Sequence, residues 1–425
     1  MWRLFDTIKS VSQHKTAKNG VIFAVFAFIT QGISFILLLI LANYIAPEGY
    51  GHLNLFTTFV QLFTYFVCLS SAGYISVVFF KKSKQETGLV VNTIILISVW
   101  TTILIGSIFA VFPSLRMIVG LDLRIILFAI FICLCVVFHN LNLDIYRLEE
   151  RPVPYGIISV LFCLLNFALA LYFVVGLKQD WLGRVNSQLL VAVVFAIVGI
   201  VIVTKKGFIT LHKPTREIVK ETLHFGVPLI PHQVAFWVRQ SFDRFVINHF
   251  LTVAVVGLYG FAFNFANIIT IIGSSFNSAY SVYQFQQLSN KSENTWNNLR
   301  KISRVMLAFY ALVTILIMAG CYVFIPLLFP KYIGSLPFII PLCLSALFIC
   351  YYMVYVNYLF FYEKTKTLMY ITTSFSVLQL IVSLLITRFG AIWTAYISAL
   401  ISFCIFFFVY KYSMRVLKVN GVLVS

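Results

Sequence analysis

Runs of about twenty or more apolar residues recur twelve times along this chain, at 20–45, 52–80, 88–112, 121–143, 154–177, 185–204, 223–250, 253–283, 303–329, 336–362, 367–387 and 390–412. A run of that length crosses a hydrocarbon layer of about 30 Å as a helix, which satisfies its own backbone hydrogen bonds where no water can. With 61% hydrophobic and only 10% charged residues, the 425-residue chain uses lipid as its main solvent. The expected fold class is an all-α polytopic membrane protein of about twelve transmembrane helices. The first run is about 26 residues long, well beyond the 7 to 15 residue core of a signal peptide, and reads as an uncleaved first helix. Before it, Trp2, Phe5, Ile8 and Val11 stand at helical spacing among Arg3, Lys9 and Lys15. That pattern fits an interfacial amphipathic segment or a disordered basic leader.

The net charge of +18 fits membrane topology better than nucleic acid. Basic residues come in short clusters between apolar runs, without a basic domain or the aromatic platform of RNA readers, so no nucleic-acid partner is expected. Sorted onto alternate sides, 23 Lys and Arg fall in the terminal and even-numbered loops and 6 in the odd-numbered ones. The positive-inside rule then puts both termini in the cytoplasm. Lys81, Lys82 and Lys84, Lys205 and Lys206, and Arg300, Lys301 and Arg304 ring that face, where membrane lipids are expected partners. The eight cysteines lie inside apolar runs with no metal-ligand spacing, so neither a disulfide framework nor a metal site is implied. No Walker loop, zinc-protease motif or hydrolase triad appears, which argues against an enzyme, a cofactor or catalytic residues.

The longest polar connection, 205–222, divides the chain into an N-terminal lobe, 1–204, and a C-terminal lobe, 223–425, with six spans each. A weak repeat crosses the divide. Asn43-Tyr44-Ile45 leads to Gly49-Tyr50-Gly51, and Asn248-His249-Phe250 leads to Gly257-Leu258-Tyr259-Gly260. Six spans per half keeps both halves in one orientation, as in transporters whose repeats enclose a midplane cavity.

Charges inside the seventh span carry the functional reading. Arg239, Asp243 and Arg244 lie within 223–250, where each charge costs at least about 2.5 to 3.5 kcal/mol. On a continuous helix ending near Phe250, Arg239 lies about 16 Å and Arg244 about 9 Å from the far interface. Arg239 and Asp243, four apart, can pair on one helix face, with Arg244 about 140° away. The local sum is plus one, which suits an anionic head group; an ion pair holding two helices together is the structural alternative. His232 lies seven residues before Arg239 on nearly the same face, as a donor, a proton acceptor or a packing residue. Gln31 in span one and Asn264, Asn267 and Asn277 in span eight can bind sugar hydroxyls or bond between helices.

The segments ILANYIAPEGYGHLNLF, GVPLIPH and SFDRFVINHFLTVAVVGLYGFAF together resemble the Wzx-type O-antigen and polysaccharide flippases. These belong to the multidrug/oligosaccharidyl-lipid/polysaccharide exporter superfamily, with the multidrug and toxic-compound extruders and the lipid II flippases. The resemblance covers the whole chain in length, span count and motif order. It implies a MATE-like, two-lobed flippase that moves an undecaprenyl-diphosphate-linked oligosaccharide, an O-antigen or capsule repeat unit, from the cytoplasmic to the periplasmic leaflet by alternating access. It also implies polymerase and chain-length proteins of the same glycan pathway as partners. The family's Asp-Arg pair in span seven maps onto Asp243 and Arg244, and its proline-containing lead-in onto Pro228 and Pro231.

Departures from relatives narrow the reading. Lipid II flippases typically have fourteen spans and arginines in the first lobe, whereas spans one to six here read as free of Arg and Lys. Cation extruders commonly carry a first-lobe carboxylate, but every acidic residue before position 223 reads as a loop or terminal residue. A cation or drug antiporter of the same fold, and a membrane glycan polymerase, are the alternatives. The latter needs a sizeable extramembrane loop, and the outer loops span about ten residues at most.

Overall fold

A computed structural model describes residues 15–209, 213–289 and 295–420. The N-terminal amphipathic pattern at Trp2, Phe5, Ile8 and Val11 lies outside them. The described residues are helical almost throughout, with no strand among them. Among the described residues ten helices are long and apolar enough to span a membrane, or eleven when the bent pair Pro47–Val67 and Ser71–Val78 is counted as one span.

Contacts group the chain into Met1–Val234 and Ala235–Ser425. The first unit contains α1 (Lys15–Tyr44), α2 (Pro47–Val67), α3 (Tyr74–Val78), α4 (Lys84–Val111), α5 (Pro113–Val119), α6 (Leu123–Leu148), α7 (Pro152–Leu171), α8 (Asp180–Lys205) and α9 (Arg216–Gly226). Prolines open α2, α5 and α7, where the missing N–H has no helical partner to lose. The start of α4 is fixed by a capping box. The Ser83 hydroxyl accepts from the Glu86 amide at 3.3 Å, and the Glu86 carboxylate accepts from the Ser83 amide at 2.9 Å. The second span is not straight. Leu69 and Ser70 take left-handed φ values of 45° and 53°, so the chain turns by 56° before a 3-10 turn at Ser71–Gly73 leads into α3.

The pairs α6–α8 and α1–α7 pack most extensively in this unit. At Gly199 on α8 a Cβ would stand 2.7 Å from the Phe138 carbonyl oxygen of α6, so the two backbones meet where only glycine fits. One expectation is corrected here: helix α8 begins at Asp180, earlier than the apolar run, so Arg184 is the fifth residue of the sixth span's helix and not a loop residue. Its guanidinium donates to Asn166 Oδ1 on α7 and, at 3.3 Å, to Ser187 Oγ. Those side-chain acceptors keep an arginine tolerable at that position.

The second unit contains most of α10 (Ile230–Ser241), α11 (Asp243–Phe250), α12 (Val253–Ser289), α13 (Thr295–Leu328), α14 (Leu336–Phe361), α15 (Thr365–Ile386) and α16 (Ala391–Val419). Helix α14 is its centre, packed on α12, α13 and α16. Val356, Leu359, Leu368, Ile397, Ile401 and Ile405 form part of a buried core shared by α14, α15 and α16. Across both units, lipid-length helices show large apolar side chains outward, such as Trp100, Val305 and Leu327, as a hydrocarbon solvent allows. All eight cysteines are free thiols.

Candidate functional site

The stretch expected as one seventh span is built from short pieces. Pro228 sits in a 3-10 turn, Val227–Leu229, Pro231 lies in the first turn of α10, and a break at Phe242 separates α10 from α11. Proline in a first turn is harmless, and Phe242 keeps helical dihedrals of −64° and −29°.

Asp243 opens α11, and the i, i+4 ion pair with Arg239 expected from the spacing does not form. The carboxylate is 5% exposed, and its Oδ2 accepts from Tyr259 Oη of α12 at 2.8 Å and from Ser398 Oγ of α16 at 2.7 Å. Gln379 Nε2 of α15 donates to Ser398 Oγ at 3.3 Å and extends the chain by one member. Helices α11, α12, α15 and α16 are thus joined at one buried carboxylate, which charge-assisted bonds hold more strongly than neutral ones.

The two arginines differ in their surroundings. Arg244 is 5% exposed, donates Nη1 to the Gln240 carbonyl at 3.0 Å, and lies 4.3 Å over the Phe263 ring. Such a cation-π contact is worth about 2 kcal/mol when desolvated. Arg239 is half-buried, with its guanidinium 5.7 Å from the Phe236 ring. Its Nε is buried without a hydrogen-bond partner, and no ion pair among the described residues includes it.

Arg239, Asp243, Tyr259, Asn267 and Ser398 line one narrow cavity of about 20 Å³, enough for roughly one water. Of the residues singled out in the sequence, this brings together Arg239, Asp243 and Asn267. Arg244 is buried outside the lining, and His232 is exposed on α10. Gln31 is exposed on α1 of the first unit. Asn277 accepts from Asn357 Nδ2 at 3.0 Å, an interhelical bond, and Asn264 is half-buried. Tyr259, Gln379 and Ser398 escaped the sequence reading. Tyr259 was visible in the Gly257–Gly260 repeat, but nothing local says that its hydroxyl meets a carboxylate sixteen residues back. Among the described residues no three His, Cys, Asp or Glu side chains converge as a metal site.

Comparison with known proteins agrees with this architecture. The model of the family described as "Polysaccharide biosynthesis protein" matches residues 16–283. An uncharacterized membrane protein of Haemophilus influenzae is 27% identical over 359 residues, covering 82% of this chain and 85% of its own. Among solved structures, the inward-facing conformation of a multidrug resistance MATE family transporter of the MOP superfamily superposes with a TM-score of 0.72 at 15% identity, over 93% of this chain and 96% of that one. The outward-facing conformation of such a transporter gives 0.61 at 15% identity, over 98% and 99%. At such identities the likeness establishes the fold: an all-α, MATE-like membrane protein of about twelve helices in two lobes.

Proposed function

Because the chain belongs to the polysaccharide biosynthesis protein family, we propose that it flips an undecaprenyl-diphosphate-linked oligosaccharide from the cytoplasmic to the periplasmic leaflet by alternating access. The observation that carries this reading is Arg239. A guanidinium with an unmet buried donor, inside a span, needs an acceptor of opposite charge. A diphosphate offers adjacent oxygens that the planar fork can grip two at a time. Arg244 adds a second positive charge nearby, and with Asp243 the local sum stays at plus one. Asn267, on the same cavity wall, supplies an amide for a sugar hydroxyl. The cavity as it stands admits about one water, so the carrier enters only when the helices around Arg239 part. The 23 to 6 partition of basic residues supports a bacterial inner membrane with both termini cytoplasmic. Polymerase and chain-length proteins of the glycan pathway are the partners this reading implies.

The test is complementation of a strain lacking the protein. Arg239→Ala, at wild-type membrane abundance, is expected to lower surface glycan about tenfold or more, the value of one or two charged hydrogen bonds. Arg239→Lys keeps the charge without the fork and restores part of it. Wild-type glycan with Arg239→Ala would overturn the reading.

The buried Asp243 cluster favours a second reading, a cation or drug antiporter on the same fold. Under it, loss of the protein sensitises cells to quaternary amines while surface glycan stays intact.

A further inference from the structure

Helix α9 has two dissimilar sides. One side holds it against the first unit. Glu221 binds Lys82 Nζ at 2.6 Å and accepts from Tyr74 Oη at 3.1 Å, and the Phe225 ring stands 5.2 Å from the Tyr74 ring. Gly226 lies so close to the Leu69 carbonyl that an added Cβ would collide with it. The other side is exposed and basic. Arg216, Lys220 and His224 repeat at every fourth position, so they form one stripe about 12 Å long. Beside it runs a parallel stripe of Val219, Leu223 and Val227, and together they line an open groove of about 570 Å³.

We infer that this groove is a docking site for an anionic phospholipid of the membrane surface. The basic stripe takes the phosphate and the apolar stripe takes the first part of an acyl chain. Charge complementarity carries the choice. The acidic residues of α9, Glu217 and Glu221, are not in the groove lining, and Glu221 is committed to Lys82. The lining has no amide or hydroxyl side chain and no Phe, Tyr or Trp ring, the groups that recognise a sugar, so it fits a simple phosphate head and not a glycan carrier. A helix with one basic and one apolar stripe, fixed between two membrane spans, presents both at the level where head groups meet acyl chains. Held there, the lipid would brace the segment that leads from α8 to the broken helix bearing Arg239.

The experiment uses the full-length protein in detergent and reads retained lipid by native mass spectrometry and the thermal midpoint. The probes are phosphatidylglycerol, phosphatidylcholine, undecaprenyl phosphate and inorganic phosphate, each added alone. Phosphatidylglycerol should be retained and raise the midpoint, and phosphatidylcholine should do neither. In the triple variant Arg216→Gln, Lys220→Gln, His224→Gln, affinity should drop about fivefold per lost formal charge, or about 25-fold for two. The control Lys364→Gln, Lys366→Gln removes two exposed charges elsewhere and should keep wild-type retention. Equal loss in the control, equal retention in the triple variant, or retention of phosphatidylcholine would each overturn the inference. So would stabilisation through this stripe by undecaprenyl phosphate alone, which would make the groove a carrier site, or by inorganic phosphate alone, which would make it an anion site without a chain.

Discussion

Asn166 is the fifteenth residue of α7 and Ser187 the eighth of α8; Gln379 is the fifteenth of α15 and Ser398 the eighth of α16. The fifth and sixth spans of each unit therefore carry small polar groups in matching positions. In the first unit these groups accept from a cation, Arg184. In the second they lead to an anion, Asp243, which comes from the broken helix instead of the duplicated pair. A repeated helical frame thus delivers hydrogen-bonding groups to the same place twice, while the sign of the charge they serve is set by which neighbouring segment supplies it. Arg184 spends its donors inside its own unit. Arg239, in the unit whose polar centre is acidic, keeps a buried Nε without an acceptor.

The largest expected effect is at the acidic centre. Asp243→Ala leaves the Tyr259 and Ser398 hydroxyls without their acceptor, at about 1 to 3 kcal/mol each, or about 2 to 6 kcal/mol together, read as thermal unfolding in detergent. Asp243→Asn keeps a carbonyl oxygen and should retain more than half of that stability. Should Asn prove as damaging as Ala, the hydroxyls would be responding to the charge and not to the shape of the acceptor.

The basic centre should be less sensitive. Arg184→Met fills similar space but leaves Asn166 Oδ1 without its donor, while Ser187 Oγ still bonds the backbone carbonyl of residue 184 at 2.8 Å. A loss of about 1 to 3 kcal/mol follows. If Arg184→Met unfolded at a lower temperature than Asp243→Ala, the ranking of the two centres would be reversed.

The matched serines sharpen the contrast further. Ser398→Ala removes one of two donors to a buried carboxylate and should cost about 1.5 to 3 kcal/mol. Ser187→Ala loses the 3.3 Å contact from Arg184 and the hydroxyl's own 2.8 Å bond to the residue-184 carbonyl, neither of them to a buried carboxylate, and should cost less, about 0.5 to 1.5 kcal/mol. Equal losses would mean that position in the repeat matters more than the charge served.

The smallest effect belongs to an exposed pair, Lys82–Glu221. The Lys82 hydrogen bond, and then that of Tyr74, hold the Glu221 carboxyl below its usual value of 4.5, and the same Glu221 bond pushes the Lys82 ammonium above 10.5. A lowered carboxyl stabilises above its ordinary pKa and loses that stabilisation as pH falls through the lowered value. A raised ammonium stabilises below its ordinary pKa and loses it as pH rises through the raised one. The midpoint difference between wild type and Glu221→Gln should therefore be small, flat between about pH 5.5 and 9, and shrink as pH falls below the ordinary carboxyl value of 4.5. A difference that grows on acidification would contradict this pairing.

Much of the architecture could be read from one-dimensional pattern. Lengths of apolar runs depend only on the thickness of hydrocarbon, so ten spans appeared close to where their residues predict them. Capping residues such as Ser83 and Glu86, and the prolines at helix starts, act within a turn or two, and their effect is local. Arg239 and Asp243 stood out because charge inside an apolar run is costly wherever it points.

Other features depend on contacts between segments far apart in the chain. The expected Arg239–Asp243 pair does not form, because the partners of the carboxylate come from α12 and α16, which lie far along the chain. Tyr259, Gln379 and Ser398 look like ordinary span residues until α12, α15 and α16 close around one carboxylate. Arg184 looked like a loop residue because hydropathy marks where a helix becomes apolar and not where it begins. Composition and periodicity determined a two-lobed helical membrane protein with charges in its seventh span. Only packing decided which charge is satisfied, because a hydrogen bond between spans depends on rotation and register that hydrophobic burial leaves free.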